Sequence, residues 1–377
     1  MSQLHVEVCT IDQVLSHNNA EKLELAVVKG WQIVIKKGEY KPGDVAIYIP
    51  IASVVPAELS DKYNFTQYLS KGRVKSARLR GEPSHGVLVP NEGNWDVGTD
   101  VADHYKITKW TPEVRLGGGS ASSGRYHDIL EEHPLLPRYT DIDNLRHFPS
   151  VIPDGEEVVV TEKIHGANVR IGNIDGEYVA GSRRNRRRMP MRRKPAGFIK
   201  TFIQNILDTF FGYRPPVEAD QEEMLKNWYW FPLTIPAVKN LLDSLSINHK
   251  QVVLYGEIFG ANVQKGVRYG SPEKIAFRAF DMILDGKYAN YDEFSSYCEQ
   301  YGVEMAPLLY RGPYSLDKVK TLSEGKTTIG EGETHIREGV VVKPVAERFD
   351  PKLGRVILKY VSDQYLLAKD IGDFEDE

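Results

Sequence analysis

Residues 156–168 read EEVVVTEKIHGAN, and this stretch decides how the rest of the chain is interpreted. The β-branched run at 158–160 predicts a strand that ends near Lys163. Gly166 then allows the backbone to approach a ligand closely. A lysine attacks phosphorus only as the neutral amine, so such a site must lower its pKa by burial or by neighbouring cations. Lys163 is the candidate nucleophile, and a solvated lysine at a turn is the alternative.

Five further segments follow Lys163 and strengthen the first interpretation. They are GSRRNRR at 181–187, LYGEIFG at 254–260, FRAFDM at 277–282, REGVVVKP at 337–344 and VILKYV at 356–361. In this order they resemble the motifs shared by polynucleotide ligases and messenger-RNA capping enzymes. His165, two residues after the lysine, favours the RNA ligase 2 branch over DNA ligases, which usually carry an aspartate there.

Two of these segments offer groups for a nucleoside. Glu257 follows the apolar run at 252–255 and is expected at a strand end, where it faces Lys163 and holds a ribose hydroxyl or a metal-bound water. A salt-bridged strand carboxylate is the alternative. Phe280 offers a ring face on which a purine can stack. Core packing is the alternative for a single phenylalanine in a strand.

The last two segments carry the groups for a metal and for phosphates. Glu338 precedes the valine run at 340–342 and Lys343 follows it, so a strand with an acid at its start and a base at its end is predicted. A carboxylate suits a hard cation such as Mg²⁺ or Mn²⁺. Lys359 follows an apolar run and needs an anion, either a phosphate or a structural partner. Many related sequences have two lysines here, so Lys343 is expected to supply the missing phosphate contact.

A basic run begins at Arg183 and continues through residue 194. Such a dense cluster is repulsive unless it is solvated or faces phosphates. Arg183 is expected to contact the nucleotide, and Arg184 and Arg186 are expected to contact nucleic acid. A solvated loop or a localisation signal is the alternative for the more distant arginines.

The first hundred residues have the pattern of a separate all-β unit. Short strands are predicted at 25–28, 32–35 and 45–49, with glycine and proline between them. The stretches HNNAEKLELAVVKGW at 17–31 and RVKSARLRG at 73–81 resemble the amino-terminal OB domain of the Deinococcus-type RNA ligases. OB barrels bind nucleic acid through basic faces, although a solvent-exposed charged edge is the alternative. The residues expected to form this face are Arg73, Lys75, Arg78 and Arg80.

The composition of the chain limits these interpretations of its function. With a net charge of -4 over 377 residues, affinity for nucleic acid must come from local basic faces. The two cysteines, Cys9 and Cys298, form no zinc spacing, and the sequence shows neither a signal peptide nor a long apolar span. An intracellular protein, cytoplasmic or in the nucleoid or nucleus, is expected.

The predicted fold class is α+β, with three regions. Residues 1–105 form an OB-type β-barrel, and 106–135 form a linker that contains GGGSASSG at 117–124. Residues 136–377 form a mixed α/β nucleotidyltransferase domain, similar to ATP-grasp ligases and built on antiparallel sheets. A helical insertion is predicted at 195–250, in which the aromatic patch at 228–231 is expected to pack in the core.

The resemblance implies an ATP-dependent RNA ligase that forms a lysyl-AMP intermediate on Lys163. Glu162 is then expected to position the adenosine, Asn168 and Arg170 to orient phosphates, and Asp281 to support Phe280. The full nucleotide set is Glu162, Asn168, Arg170, Arg183, Glu257, Phe280, Lys343 and Lys359, and the metal ligands are Glu257 and Glu338. The expected partners are nicked or broken RNA, an RNA/DNA hybrid, or a DNA duplex with an RNA 3′-hydroxyl end. A monomer that does not bind membranes is expected.

Two alternatives remain from the sequence. A capping-type guanylyltransferase would use the same lysine with GTP. A non-catalytic nucleic-acid-binding protein would combine an OB domain with a decayed transferase domain, and it should have lost Lys163, Glu338 or Lys359. All three residues are present.

Overall fold

The computed structural model describes residues 4–111, 128–191, 221–260, 263, 269, 275–330 and 335–368. The predicted linker segment at 117–124 lies outside these residues, as does the predicted insertion up to residue 220. Within the described ranges, every helix is too short or too polar to cross a membrane.

The amino-terminal part consists of short antiparallel strands and one helix. The strands are β1 (Glu7–Thr10), β2 (Gln13–Ser16), β3 (Leu23–Val28), β4 (Trp31–Lys36), β5 (Val45–Ile49), β6 (Ser53–Val54), β7 (Ser76–Leu79), β8 (Glu82–His85), β9 (Val87–Pro90) and β10 (Thr108–Lys109), and the helix is α1 (Ala57–Lys62). They pair in the orders β1-β5-β9, β2-β3-β4, β7-β8 and β6-β10. Strand pairing in this part therefore extends to Lys109, beyond the predicted boundary at 105.

The hairpin between β3 and β4 shows how the sequence builds this unit. Val28 pairs with Trp31, and the two residues between them, Lys29 and Gly30, both have positive φ angles, 50° and 74°. Positive φ at both central residues is typical of the type I′ turn, whose twist matches that of the strands. Along β4, buried and partly exposed residues alternate, so one face of the strand packs on the core.

The second part contains two antiparallel-dominated sheets. Its strands are β11 (Ile129–Leu130), β12 (Asp143–Asn144), β13 (Glu157–Glu162), β14 (Ala167–Ile174), β15 (Glu177–Ser182), β16 (Arg186–Arg187), β17 (Gln251–Gly260), β18 (Ile275–Leu284), β19 (Lys287–Tyr288), β20 (Leu308–Pro313), β21 (Gly339–Pro344), β22 (Phe349–Asp350), β23 (Gly354–Arg355) and β24 (Leu358–Val361). The helices are α2 (Gln221–Lys226), α3 (Pro236–Leu245), α4 (Tyr291–Tyr301), α5 (Leu316–Ser323) and α6 (Asp363–Leu366). A single 3-10 turn, Leu145–His147, precedes β13.

The two sheets face each other and leave a cleft between them. The larger has the order β11-β16-β15-β14-β17-β18-β19, and the smaller has the order β12-β24-β21-β13-β20, in which only the β12–β24 pair is parallel among the described strands. An apolar cluster joins Tyr255 of the larger sheet to Ile357, which directly precedes β24 of the smaller sheet. A second cluster packs α3 and α4 against the larger sheet. Trp230 of the predicted aromatic patch is buried in that cluster, as expected.

The amino-terminal part contacts the second part through Arg146. This arginine is buried, and its guanidinium carbon lies 3.8 Å from the ring centroid of Trp31 in β4 and 4.1 Å from that of Tyr360 in β24. Nη2 of Arg146 donates to Asp363 and to the Tyr360 hydroxyl, each at 2.8 Å. A desolvated cation between two aromatic rings is stabilised by cation–π attraction to both. Arg146 therefore fixes strand β4 beside strand β24.

Gly339 opens β21 at a point where two strands approach closely. A Cβ at this position would lie 2.2 Å from the backbone oxygen of Tyr360, and φ is +154°. Because the backbone oxygen of Gly339 accepts from the Lys163 amide at 3.0 Å, this close approach also brings Lys163 and residue 338 together.

We expect Gly339→Ala to lower the free energy of unfolding by roughly 3–5 kcal/mol, since the added methyl group must push two strands apart. Gly286→Ala is the matched control. Gly286 also has a positive φ, +84°, but a Cβ there would meet nothing within 4 Å. Gly286→Ala should lower the free energy of unfolding by only about 1–2 kcal/mol, from backbone strain alone. Chemical denaturation of both variants measures the difference, and equal losses would contradict the crowding argument.

Candidate active site

Lys163 lies directly after β13 and contacts Glu338. The Lys163 Nζ donates to Oε1 of Glu338 at 2.6 Å, and both side chains are about nine-tenths buried, with 11% and 8% of their surface exposed. The two residues meet because β13 and β21 are antiparallel neighbours, so the end of one strand lies beside the start of the other. The structure thus places a buried amine next to a carboxylate at the edge of the cleft.

The cleft between the sheets contains most of the predicted nucleotide site. It encloses about 1040 Å³, counted to its open mouth. Eight of the nine residues predicted as nucleophile or nucleotide ligands line it, namely Glu162, Lys163, Asn168, Arg183, Glu257, Phe280, Lys343 and Lys359. Glu162 and Lys343 are 181 positions apart in the chain, and they share this wall only because β13 pairs with β21.

Arg170 is the ninth residue, and the structure corrects its predicted role. Its side chain is fully buried, Nε donates to the backbone oxygen of Ser182 at 2.9 Å and Nη2 to Glu132 at 2.7 Å. Nη1 donates to the backbone oxygen of Leu136. These acceptors occupy all three nitrogens of the guanidinium, so Arg170 joins strand β14 to the preceding segment and does not face the cleft.

Glu162 is hydrogen-bonded to the segment around Thr328. Its carboxylate accepts hydrogen bonds from the amide and hydroxyl of Thr328, at 2.8 and 2.7 Å, and from the hydroxyl of Thr327. Nε of Arg337 lies 3.4 Å from the same carboxylate. The carboxylate therefore holds one wall of the cleft in place, and because Glu162 also lines the cleft, its contact with an adenosine stays a prediction.

Asn168 and Phe280 present binding groups to the cleft. The side-chain oxygen of Asn168 is buried and has no hydrogen-bond partner among the described residues. A buried polar atom without a partner is costly, so this position favours a ligand that supplies one. Phe280 packs against Tyr139 with ring centroids 4.9 Å apart at 63°, and Val341 and Ile357 line the same cleft. The site therefore combines an apolar slot with a polar edge.

Glu257 lies within a strand, whereas the sequence predicted a strand end. Strand β17 continues to Gly260, and Glu257 pairs with Asn168 on one side and Arg278 on the other. The pairing with β18 shifts register between Tyr255 and Gly256. Such an irregularity changes the direction of nearby side chains. Glu257 still faces the cleft, as predicted.

Lys343 is held by buried carboxylates. Its Nζ donates to Asp281 at 3.2 Å and to Glu347 at 3.3 Å. Arg355 donates to Asp281 at 2.6 Å and to Glu347 at 2.7 Å, and the hydroxyl of Tyr139 donates to Asp281 at 2.7 Å. Burial alone would raise the pKa of the Asp281 carboxyl, but the charges of Lys343 and Arg355 outweigh it and hold that pKa below its usual value. Asp281 therefore orients Lys343, a role that differs from the predicted support of Phe280.

The sequence analysis missed Tyr139, Glu347 and Arg355. The only available signal was a charge next to a recognised motif, since Arg355 directly precedes VILKYV. Nothing in the local pattern connects Glu347 with Asp281.

His165 does not line the cleft but lies near Glu338, the partner of Lys163. Its Nδ1 is 3.5 Å from Oε2 of Glu338 and 2.9 Å from the hydroxyl of Tyr365. Its backbone amide donates to the hydroxyl of Tyr269 at 2.7 Å. The loop after Lys163 is thus fixed through both the backbone and the ring of His165.

The residues predicted to bind nucleic acid fall into two groups. Lys75, Arg78 and Arg80 lie on or beside the β7–β8 hairpin, where Arg78 and Arg80 are exposed, and Arg184 is exposed near the mouth of the cleft. Arg73 and Arg186 are half-buried, and the backbone amide of Arg186 donates to Glu132. The guanidinium of Arg73 stacks on Trp110 at 3.6 Å, and its Nε and Nη1 are buried. This packing orients the Arg73 side chain, and its contact with nucleic acid stays a prediction.

The donors near Lys163 fit a divalent cation that is shared with a substrate. Among the described residues, no three His, Cys, Asp or Glu side chains form a complete metal site. Mg²⁺ is typically held by one or two carboxylates together with water and substrate phosphates. Glu257 in the cleft and Glu338 at its edge are oxygen donors of this kind.

Two facing sheets that enclose a buried lysine, carboxylates and basic residues define an enzyme of the nucleotidyltransferase class. A family model described as RNA ligase matches residues 156–361, and one described as an OB-fold domain matches residues 5–91. The chain belongs to the RNA ligase family. The predicted OB-type barrel and the antiparallel ligase domain are thereby confirmed.

Solved structures with this fold include several of the Naegleria gruberi RNA ligase. A mutant with ATP and Mn is 24% identical with a TM-score of 0.67, and a mutant with AMP and Mn is 23% identical with a TM-score of 0.69. The same ligase with PPi is 23% identical with a TM-score of 0.68. Each comparison covers 97% of this chain and 98% of the other. The similarity thus extends over both parts of the fold.

We expect Asp281→Asn to lower the free energy of unfolding by roughly 3–5 kcal/mol at neutral pH, because it leaves buried cations with too little negative charge. A carboxyl whose pKa is lowered by folding stabilises the protein above its unfolded pKa, about 3.9, and loses this effect as the pH falls through the folded value. The difference between wild type and variant should therefore shrink below about pH 4.

Denaturant unfolding at several pH values measures this difference, with the exposed Asp175→Asn as control. A constant difference across that range would show that the Asp281 charge is not what stabilises the cluster.

Proposed function

We propose that this protein is an ATP-dependent RNA ligase that joins 3′-hydroxyl and 5′-phosphate ends through a lysyl-AMP intermediate. The observation that carries the proposal is the position of Lys163, whose buried amine lies at the edge of a cleft lined by Phe280 and Lys343. An amine in this position can reach the α-phosphate of a nucleotide whose base occupies the apolar slot. Membership of the RNA ligase family and the ATP, AMP and Mn present in the Naegleria structures support this choice.

In the first step, Nζ of Lys163 attacks the α-phosphorus of ATP. The N–P bond forms, the bond from the α-phosphorus to the bridging oxygen breaks, and pyrophosphate leaves. The amine must first lose a proton, and Glu338, 2.6 Å away, is placed to accept it. Burial favours the neutral amine once that proton has moved.

Different side chains of the cleft bind different parts of the nucleotide. Phe280 stacks on the adenine, Glu257 receives a ribose hydroxyl, and the side-chain NH2 of Asn168 donates to a phosphate, while its oxygen accepts from a ligand hydroxyl or water. Basic residues surround the remaining phosphate oxygens, namely Arg183, Lys343 and Lys359. Because Asp281 and Glu347 already orient Lys343, little reorganisation is needed when charge develops.

A divalent cation held by Glu338 and Glu257 would neutralise charge on the phosphates. Glu338 would serve two partners in turn: it takes the proton of Lys163 and releases it to solvent, and as a carboxylate it would then hold the cation while Lys163 attacks the nucleotide.

The next two steps transfer AMP to the polynucleotide and seal it. An oxygen of the 5′-phosphate attacks the lysyl-AMP phosphorus, so that a phosphoanhydride forms and the N–P bond of Lys163 breaks. The 3′-hydroxyl then attacks the 5′-phosphate, a phosphodiester forms and AMP leaves. The exposed Arg78 and Arg80 of the OB domain, together with the exposed Arg184 next to Arg183 of the cleft, would hold the broken strand.

Labelled nucleotides separate this proposal from the guanylyltransferase alternative. Incubation with α-labelled ATP or GTP shows which nucleotide becomes attached to the protein, and we expect ATP. Transfer of GMP would favour capping chemistry.

We expect Lys163→Ala to abolish formation of the AMP adduct, because alanine has no nucleophile. Intact mass measurement after incubation with ATP and Mn²⁺ or Mg²⁺ detects the adduct directly. Lys287→Ala, at an exposed strand residue, is the control and should retain full adduct formation. A variant at position 163 that still gains the mass of AMP would show that another residue is the nucleophile.

We expect Glu338→Gln to slow adduct formation by on the order of 100-fold or more and to raise the metal concentration needed for half-maximal rate. The amide keeps the size of the side chain but neither binds the cation as well nor accepts the proton. Titration of Mg²⁺ and Mn²⁺ on wild type and variant measures the shift, and thermal unfolding controls for stability. An unchanged metal midpoint in a folded variant would remove Glu338 from the metal site.

A further inference from the structure

Tyr365 of the short helix α6 contacts His165, whose ring lies near Glu338, the partner of Lys163. Its hydroxyl lies 2.9 Å from Nδ1 of His165, and the two rings pack with centroids 5.8 Å apart. His165 is buried, and the same Nδ1 lies 3.5 Å from Glu338. A tyrosine at the end of the described chain is therefore one contact away from the Lys163–Glu338 pair.

The ring of His165 has few other polar contacts to hold it. Its Nε2 is buried and has no hydrogen-bond partner among the described residues. The backbone of His165 is held separately, since its amide donates to Tyr269 at 2.7 Å. Loss of the Tyr365 hydroxyl would thus free the ring while the loop stays in place.

Helix α6 is itself tied to the active site. The amide of Ser362 donates to the backbone oxygen of Glu338 at 2.9 Å, and the Ser362 hydroxyl accepts from the Tyr365 amide at 3.2 Å. The carboxylate of Glu324 accepts from the Ser362 hydroxyl at 2.8 Å and from the Asp363 amide at 2.9 Å. These bonds fix the helix start, and with it the position of the Tyr365 ring.

The outer side of α6 rests on the amino-terminal part. Asp363 accepts from Arg146 at 2.8 Å, and Leu366 packs against the apolar cluster that contains Trp31. The matched RNA ligase region ends at residue 361, so α6 lies outside it. Neither the motifs nor the family match points to Tyr365.

We propose that Tyr365 is a positioning residue for adduct formation on Lys163. Its hydroxyl fixes the His165 ring by accepting from Nδ1–H, and that N–H attracts Oε2 of the Glu338 carboxylate, 3.5 Å away, so that the carboxylate keeps the orientation that faces Lys163. The inference rests on the proposed function, because adduct formation is the reaction that it affects.

Tyr365→Phe removes only the hydroxyl, and two quantities should respond differently. The rate constant of adduct formation at saturating ATP should fall about 3- to 10-fold, the effect of one hydrogen bond. The ATP concentration for half-maximal rate should stay unchanged, because Tyr365 and His165 do not line the cleft that binds the nucleotide. A purely destabilising change would instead lower the final amount of adduct without changing its rate constant.

Single-turnover adduct formation, followed by intact mass over a range of ATP concentrations, measures all three quantities. Tyr310→Phe is the matched control, since its hydroxyl also makes one hydrogen bond, to Pro313 at 3.0 Å, on an exposed strand. Wild type and control should agree. A Tyr365→Phe rate equal to wild type, or an altered half-maximal ATP concentration with an unchanged rate constant, would overturn the proposal.

A double-mutant cycle tests whether Tyr365 acts through His165. In a His165→Leu background, Tyr365→Phe should cause no further loss. The same fold-loss in both backgrounds would show that Tyr365 acts by another route and would overturn the proposal. If His165→Leu forms no adduct, the single variant and its control decide the question. A wild-type protein that forms no adduct would contradict the proposed function itself, which separates the two failures.

Discussion

The antiparallel pairing of β13 with β21 is the constraint on which the active site depends. Val158 pairs with Pro344 at one end and Glu162 with Val340 at the other, so Lys163 and Glu338 emerge together at the same edge. A slip of one residue would turn every side chain of a strand to the opposite face. The buried valines of both strands prevent that slip, because they fill the apolar cluster of the smaller sheet. Apolar packing thus determines where the charged pair lies.

The second constraint is electrostatic, and it concerns the cations of the cleft. A site for phosphates needs lysine and arginine in a partly buried place, yet each such cation is costly without a counter-charge. Asp281 and Glu347 supply that charge to Lys343 and Arg355. The same contacts orient Lys343 in advance. The contacts that stabilise these buried cations therefore also provide the ordered lysine that the proposed phosphate site requires.

Sequence patterns predicted the strand ends better than the partners of individual side chains. The valine runs located β13 and β21, and with them Lys163 and Glu338, because a strand's position follows from its apolar residues. Arg170 could not be interpreted in this way, since its acceptors Leu136 and Glu132 lie 34 and 38 residues away in the chain. Arg73 was likewise predicted to form part of a basic face for nucleic acid, and only the fold shows that its guanidinium stacks on Trp110. Charge identifies a basic residue, whereas tertiary packing decides whether the charge is available to a ligand.

The strand order of the smaller sheet connects the amino-terminal part to the nucleophile. From its edge inward the order is β12, β24, β21 and β13. Asn144 of β12 pairs with Lys359 of β24, and Arg146, two residues further along, binds Trp31 of the OB domain. Lys359, Glu338 and Lys163 then lie on or beside successive strands. Because hydrogen bonds join each strand to the next, a displacement of the OB domain would reach the strand of Lys359, a proposed phosphate ligand, before it reaches Lys163. The domain proposed to grip the polynucleotide is therefore attached to the strand of this proposed phosphate contact, which favours coordination of strand binding with the later, phosphate-dependent steps.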